Sequence, residues 1–174
     1  GQRAYVANAN SDTVSVIEVA TLRVVESIPV RPEAALPFGS APNALSLSPD
    51  DRTLYVANGG NNAVAVISLA HNQGGPSRVE GFIPTAWYPG GVVNDGRSLF
   101  ISNVKGAGSR NPQQGKQGWN SHYHLGTVTK APIPQPDELQ AQTRQVRADA
   151  RVPQILRAWD QSRSARRPVP VPRR

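Results

Sequence analysis

The chain has 174 residues, of which 38% are hydrophobic, with 15 Gly and 16 Pro but neither Cys nor Met. Without Cys there are no disulfide bonds, thiolate metal sites or cysteine nucleophiles, and no apolar run approaches the ~20 residues that a membrane-spanning helix needs. The net charge of +7 arises at the end of the chain, because residues 1–138 hold ten basic and ten acidic residues while residues 139–174 hold nine Arg against Asp149 and Asp160.

One phrase recurs along the chain. "YVAN" begins at Tyr5 and again at Tyr55, and "FISN" at Phe100 is a third, more divergent copy. The distance along the chain from one copy to the next leaves room for three or four short strands in each repeat. The recurrence therefore predicts a small sheet that is repeated.

The first repeat, about 1–37, contains "RAYVAN", "TVSVIEV" and "RVVESIPV", which predict three strands. A fourth strand would precede Gly1. Because the chain opens inside a repeat and without Met, we expect a processed or excised piece of a longer protein.

The second repeat, about 38–84, predicts four strands: "NALSLSP", "TLYVAN", "AVAVISLA" and "RVEGFIP". The turns between them, such as "GGNN" at 59–62, contain residues that tolerate positive φ. Both alternating sets in the middle strands are apolar, as with Leu54 and Val56 against Tyr55 and Ala57. A sheet that is apolar on both faces must be covered on both sides, which is typical of a blade in a β-propeller.

The third repeat, about 85–134, is irregular. "YPGGVVNDGRSLFISN" is two residues shorter than its counterpart, so a regular innermost strand is not predicted there. A long insertion at 104–125 then precedes a last strand at 126–134.

A helix is predicted after Pro136, with Asp137 as its N-cap, Gln140 as the capping-box partner and an apolar stripe beginning at Leu139. A short second helical turn is predicted over 154–159. The end, "SRSARRPVPVPRR", predicts an extended linker.

The predicted fold class is therefore all-β: a partial β-propeller of two to three four-stranded antiparallel blades with a C-terminal helical and Pro/Arg-rich linker. We place the propeller in 1–134, with blades at about 1–37, 38–84 and 85–134, and the helical connector and extended tail in 135–174. Closed propellers need about four to eight blades. We therefore expect an exposed apolar blade face, with marginal stability or self-association.

No residue is predicted to be catalytic, and no cofactor is expected. His122 and His124 in "NSHYHLG" share a strand face and are the metal candidates, but no further ligand lies close in sequence. The insertion matches neither a Walker nor a dinucleotide fingerprint. Its candidate recognition residues are Lys105, Arg110, Trp119 and Tyr123.

Two other sets of residues have simpler interpretations. The C-terminal arginines lack interleaved aromatics and a groove-reading motif, so we interpret them as a solvated linker and do not expect nucleic acid to bind. The asparagines at 8, 58 and 103 are interpreted as turn formers, because Asn tolerates left-handed backbone and bonds its own main chain.

"SPDDRTLYVANGGNNAVAVISL" and "RAYVANANSDTVSVIEVATLRVVESIPV" resemble the YVTN family of bacterial β-propeller repeats. "VEGFIPTAWYPGGV", "SNVKGAGSRNP" and "PDELQAQTRQV" are similar to a narrower group, in which the propeller precedes a phosphoesterase domain of the alkaline phosphatase superfamily. The resemblance implies a periplasmic or secreted protein. It assigns no catalytic role to this chain, because that group's metal ligands and nucleophile match no residue here.

Two functions remain open. The first is a non-catalytic scaffold or interaction module, whose partners are missing propeller blades, a downstream domain of a phosphoesterase parent, or another copy of the chain. The alternative is a lactonase-like hydrolase with a metal-dependent site in the central channel. Such a site needs carboxylates or Asn at channel-facing strand ends, whereas the sequence places its acids, Asp12, Asp50, Asp51 and Asp95, at turns.

Overall fold

The computed structural model describes residues 1–70, 75–108 and 125–160. Within them the chain forms three antiparallel sheets followed by two helices. The strands are β1 Arg3–Asn8, β2 Thr13–Glu18, β3 Arg23–Pro29, β4 Pro42–Leu47, β5 Thr53–Asn58, β6 Ala63–Ser68, β7 Arg78–Pro84, β8 Pro89–Asn94, β9 Ser98–Asn103 and β10 Thr127–Pro132. The helices are α1 Pro136–Asp149 and α2 Val152–Asp160.

Each sheet is one blade. Blade 1 has the order β1-β2-β3, blade 2 has β4-β5-β6-β7, and blade 3 has β8-β9-β10. The predicted all-β, partial-propeller fold is confirmed, although in the described residues only blade 2 has four strands.

The innermost strand of blade 3, which the sequence did not predict, is present. β8 pairs with β9, with a register shift between Pro89 and Gly91. The two missing residues come from the hairpin turn: the last pair is Asn94 with Leu99 in blade 3 but Leu47 with Leu54 in blade 2. The strand keeps its length because the shortening is confined to the turn.

Blade 2 is buried on both faces, as its pattern predicts. Five of the six residues in β5, and also in β6, are buried. Leu54, Val56 and Ile67 belong to a core shared with blade 1, whereas Tyr55, Ala57 and Val64 belong to a second core shared with blade 3. The alternation of side chains along a strand thus sends one set of residues into each interface.

The helix prediction is correct in place but wrong in its cap. Gln135 is the N-cap, and its partner is Glu138, whose Oε2 accepts the Gln135 amide at 2.9 Å. Asp137, predicted as the cap, lies in the first turn. Pro136 accounts for the shift, because proline has no N–H to lose at the first helical position.

Helix α1 covers the outer edge of blade 2. The Phe82 amide, on the free edge of β7, donates to Thr143 Oγ1 at 2.8 Å. A Cβ on Gly81 would lie 2.5 Å from that oxygen, so a glycine permits this close approach. The helix thus protects an edge strand that would otherwise offer unpaired backbone groups.

The same helix closes both interblade cores. Leu139 packs into the core between blades 2 and 3, and Val146 into the core between blades 1 and 2. Arg147 donates to Glu33 Oε2 at 3.0 Å and to the Pro32 carbonyl at 3.2 Å, which attaches α1 to the loop after β3. Within the described residues, neither helix is long and apolar enough to cross a bilayer.

Two blade faces are not covered by any described element. The outer face of blade 1 exposes Val6 and Val24, and that of blade 3 exposes Val93 and Val128. These end faces are more polar than their internal counterparts: Thr13 and Ser15 stand where β6 has Ala63 and Ala65. Apolar exposure is therefore confirmed, whereas self-association remains a prediction.

Candidate functional site

The turns after β1 and β5 join each blade to the next. Asp12 is fully buried, and its two carboxylate oxygens accept the amides of Gly39 and Ala41 at 2.8 and 3.0 Å. At the equivalent position, Asn62 Oδ1 accepts the Tyr88 amide at 2.9 Å. Asp12 and Asn62 both have left-handed backbone, with φ of 54° and 52°. These interblade turn contacts fix the loop that leads into the next blade.

The repeated asparagines do more than form turns, so that interpretation was wrong in part. Asn58 is fully buried with an extended φ of −92°, and its Nδ2 donates to the Val30 carbonyl of blade 1 at 2.7 Å. Asn103 is also buried, and its Nδ2 donates to Thr129 Oγ1 at 3.0 Å. Asn8, on the outer face of blade 1, donates to Ser15 Oγ at 2.8 Å. At 58 and 103 the asparagine supplies a buried hydrogen-bond donor at the end of the strand, whereas Asn8 is half-buried.

A cleft of about 640 Å³ opens between blades 1 and 2, at the opposite end of the strands from these turn contacts. Its polar lining comes from β1 and the β4–β5 turn and includes Arg3, Tyr5, Asp50, Asp51 and Arg52. Leu47 and Leu69 supply apolar surface. Two arginines beside two carboxylates and a phenol can bind a polar ligand that carries both hydroxyl groups and negative charge.

The electrostatics of the cleft show that one carboxylate already has a structural role. Hydrogen bonds from the Ser48 hydroxyl and the Arg52 amide lower the pKa of Asp50. Burial raises the pKa of Tyr5, an effect that Arg3 opposes and Asp51 reinforces. Asp50 is therefore a poor general base, and Tyr5 stays neutral near pH 7.

In residues 1–70, 75–108 and 125–160, no group of three or more His, Cys, Asp or Glu side chains could hold a metal ion. The metal candidates His122 and His124 lie outside those residues, as do Arg110, Trp119 and Tyr123 of the candidate recognition loop. All five therefore stay predictions.

Lys105 is the one candidate recognition residue that the structure describes. Its Nζ lies 5.3 Å from the centre of the Trp87 ring and 5.4 Å from that of Tyr88. Its amide donates to the Trp87 carbonyl at 3.1 Å. The Trp87 side chain is 41% exposed. Lys105 and Trp87 therefore form part of the loop surface on the side of the turn contacts.

The sequence interpretation missed the burial of Asp12 and the cleft. Asp12 could have been recognised by aligning "NANSDTV" with "NGGNNAV", because the polar residue before the next strand recurs there as Asn62. The cleft brings together residues about 50 positions apart, such as Arg3 and Arg52, and no local pattern in the sequence marks it.

Residues 1–108 match the model of a family described as "Lactonase, 7-bladed beta-propeller". No curated protein matches the chain. A structure from Bacteroides fragilis, a "putative 6-phosphogluconolactonase", is similar to 76% of this chain and 36% of its own, with 18% identity and a TM-score of 0.52.

Another structure with that description, from Bacteroides uniformis, covers 76% of this chain and 38% of its own at 18% identity and a TM-score of 0.49. The hydrazine synthase of Kuenenia stuttgartiensis covers 60% and 26%, at 21% identity and a TM-score of 0.49. At such identities the likeness concerns the fold alone, and the chain spans less than two fifths of the length of these structures. With most of its residues matched by the family model, the chain belongs to the seven-bladed β-propeller lactonase family.

Proposed function

We propose that this chain is a non-catalytic β-propeller segment that serves as a scaffold or interaction module of a larger bacterial protein. The observation that carries the proposal is the pair of uncovered end faces. Each is made by the same strand positions as a blade face that is buried inside the chain, although some of those positions hold more polar residues. A face of this kind is suited to pack against another blade.

The internal interface supplies the template for such packing. Val6 and Asn8 of β1 occupy the positions of Val56 and Asn58 in β5. Asn58 donates across its interface to the Val30 carbonyl. By the same geometry, Asn8 would donate to a carbonyl of a preceding blade, at the cost of its present bonds within blade 1.

The finer proposal follows the resemblance of the sequence. The phrases around Tyr5 and Tyr55 resemble YVTN repeats, and the stretches at 79–92, 102–112 and 136–146 resemble a propeller that precedes a phosphoesterase domain. We propose a parent protein of that kind, periplasmic or secreted. The partners of the end faces would then be further blades of the parent, or a second copy of this chain in isolation.

A second candidate is a hydrolase that acts on lactones. It is favoured by the family match and by the cleft between blades 1 and 2, where Arg3 and Arg52 could bind an anionic sugar lactone. Asp50 and Asp51 are the carboxylates in the described lining of the cleft. Because the Asp50 side chain is held by hydrogen bonds within its turn, Asp51 is the candidate for a role in catalysis. This candidate makes the cleft, and not the end faces, the functional feature.

The experiment that separates the two has two arms. The first measures hydrolysis of a sugar lactone and of a phosphate ester by the full chain with added divalent cations, beside Asp51→Asn as the cleft control. The scaffold proposal expects no turnover above buffer, and turnover that Asp51→Asn abolishes would refute it in favour of the hydrolase.

The second arm measures association by sedimentation velocity over a range of concentrations. Val6→Lys, on the end face of blade 1, should abolish concentration-dependent association. Leu22→Lys, at an exposed turn residue, is the matched control and should leave it unchanged. The proposal that the end faces pack against other blades would be contradicted if the unaltered chain were a monomer at every concentration and unfolded cooperatively on heating.

A further inference from the structure

The two interfaces inside the chain are built in the same way. We call the face of a blade that packs against the next blade along the chain its following face, and the opposite one its preceding face. Val14 on the following face of blade 1 shares a core with Val56 on the preceding face of blade 2. Val64 on the following face of blade 2 shares the second core with Ile101 on the preceding face of blade 3. The end face of blade 1 is therefore a preceding face, and the end face of blade 3 is a following face.

The end face of blade 1 carries the same polar network as a preceding face that is packed inside the chain. Asn8 Nδ2 donates to Thr13 Oγ1 at 3.1 Å and to Ser15 Oγ at 2.8 Å. At the equivalent positions of blade 3, Asn103 Nδ2 donates to two threonine hydroxyls at 3.3 and 3.0 Å. Asn103 is buried on the face that packs against blade 2, whereas Asn8 is half-buried. The network of blade 1 is thus compatible with the packing of another blade on this face.

The end face of blade 3 has the pattern of a following face, with one difference. Val128 occupies the position of Val64, and Phe100 occupies that of another aromatic residue, Tyr55. Lys130 stands where blade 2 has a buried valine, and its Nζ lies 5.5 Å from the centre of the Phe100 ring. The aromatic residue and the valine are those that pack against the next blade inside the chain. The lysine is the feature that weakens this face as a packing surface.

We propose that two copies of this chain associate head-to-tail, so that the end face of blade 3 in each copy packs against the end face of blade 1 in the other. The inference rests on the proposed function, in which the end faces are packing surfaces. A contact between two different faces either closes into a ring or continues as an open filament. The described residues form three blades, and closed propellers have about four to eight. Two copies supply six blades and three copies supply nine, so the pair is the assembly that closes.

Contact between two copies of the same end face is less favourable. Two blade 3 faces would bring two Lys130 ammonium groups together, and like charges repel each other across an interface. Two blade 1 faces would join preceding face to preceding face, which neither interface of the described residues does. Closure with six blades needs a rotation of about 60° from blade to blade instead of about 51° in a seven-bladed ring, and propellers of both sizes are built from the same four-stranded sheets.

The first arm of the test is cross-linking between introduced cysteines, because the natural chain contains none. Val128 and Val6 occupy the positions of Val64 and Ile101, which share a core inside the chain. The full chain that carries both Val6→Cys and Val128→Cys should give about tenfold more dimer with a short bis-maleimide than either single variant, because unlike faces meet. Single variants that cross-link as well as the double variant would overturn the proposal. A ladder of trimers and longer species would overturn the closed pair.

The second arm measures the dissociation constant of the dimer by sedimentation equilibrium. Lys130→Val restores the residue type that blade 2 has at this position, so it should tighten the dimer about tenfold, since the contact no longer buries an ammonium group. Arg144→Val is the matched control, because it removes one positive charge at an exposed position of α1 and should leave the constant unchanged. A dimer that Lys130→Val does not tighten would overturn the proposal.

The two arms separate the failure of this inference from that of the proposed function. An unaltered chain that is a monomer at every concentration contradicts the proposed packing role of the end faces, and the head-to-tail pair with it. A chain that associates through like faces, or without closing, overturns the head-to-tail pair and leaves that role standing. Circular dichroism should show that each variant keeps its fold, and the Lys130→Val arm is independent of the cysteine variants.

Discussion

The turn contact at Asp12 should be the largest single polar contribution to stability among the described residues of blade 1. The carboxylate is fully buried and accepts two backbone amides from the loop that enters blade 2, at 2.8 and 3.0 Å. Asp12→Ala removes both acceptors. Hydrogen bonds to a charged group contribute about 1.5–3 kcal/mol each, and a buried donor left unpaired costs about 1–3 kcal/mol.

The magnitude is set by which amides water can reach after the substitution. Gly39 is exposed and Ala41 is half-buried, so both amides regain part of their hydration. We therefore expect the lower end of the sum for the two bonds, about 3 kcal/mol, for the loss of the carboxylate. Ala also tolerates the φ of 54° poorly, which adds about 1 kcal/mol. The expected total for Asp12→Ala is about 4 kcal/mol.

Two further variants separate these contributions. Asp12→Gly removes the carboxylate without the backbone cost, so it should be about 1 kcal/mol less destabilising than Asp12→Ala. Asp12→Asn keeps one acceptor oxygen, as Asn62 does in blade 2, and should cost about half as much. The matched control is Asp50→Ala, at an exposed turn, where water replaces the lost bonds.

The assay is urea unfolding followed by circular dichroism, which gives the free energy of unfolding of each variant. A free energy of unfolding for Asp12→Ala within about 0.5 kcal/mol of that of the unaltered chain would refute the reasoning, because the loss of two buried hydrogen bonds to a carboxylate should destabilise the fold by more than that. Equal values for Asp12→Ala and Asp50→Ala would refute it as well.

Three other predictions concern separate features. Gly60→Ala should cost about 2 kcal/mol or more in urea unfolding, because its Cβ would lie 1.8 Å from the Gly39 carbonyl oxygen, whereas Gly75→Ala, with nothing within 4 Å, should be neutral. Thr143→Val should speed hydrogen exchange of the Phe82 amide, which loses its acceptor, by about fivefold, and an unchanged rate would mean that α1 does not cover that edge. The pKa of Asp95 is lowered by the amides of Arg97 and Ser98, so its stabilising contribution is present above its unfolded pKa of about 3.9 and is lost as the pH falls through the folded value. Asp95→Asn should therefore flatten the acid limb of the stability curve, and a limb that keeps its slope would count against that assignment.

The sequence alone determined the repeat, the strands and the class of fold. It could do so because the signals are local: side chains alternate with period two along each strand, and turn residues stand at the strand ends. The tetrapeptide "YVAN" also recurs at Tyr5 and Tyr55. The two apolar faces of β5 and β6 also required blades on both sides, and blade 2 is buried on both sides. These are local or repeated features, and propensity and patterning govern them.

The tertiary structure decided the features that are formed by residues far apart in the sequence. That Asp12 would be buried against Gly39 and Ala41 follows from how blade 1 meets blade 2, and not from the turn in which it lies. The shortening of blade 3 fell in a turn and spared β8, because the pairing with β9 is fixed by the packing of Val92 into the core. Helix α1 is predictable as a helix, but its place on the edge of β7 depends on the bond from Phe82 to Thr143, 61 residues apart. Local periodicity fixes which residues form strands and helices, whereas contacts between blades fix which polar groups are buried and where the clefts and uncovered faces lie.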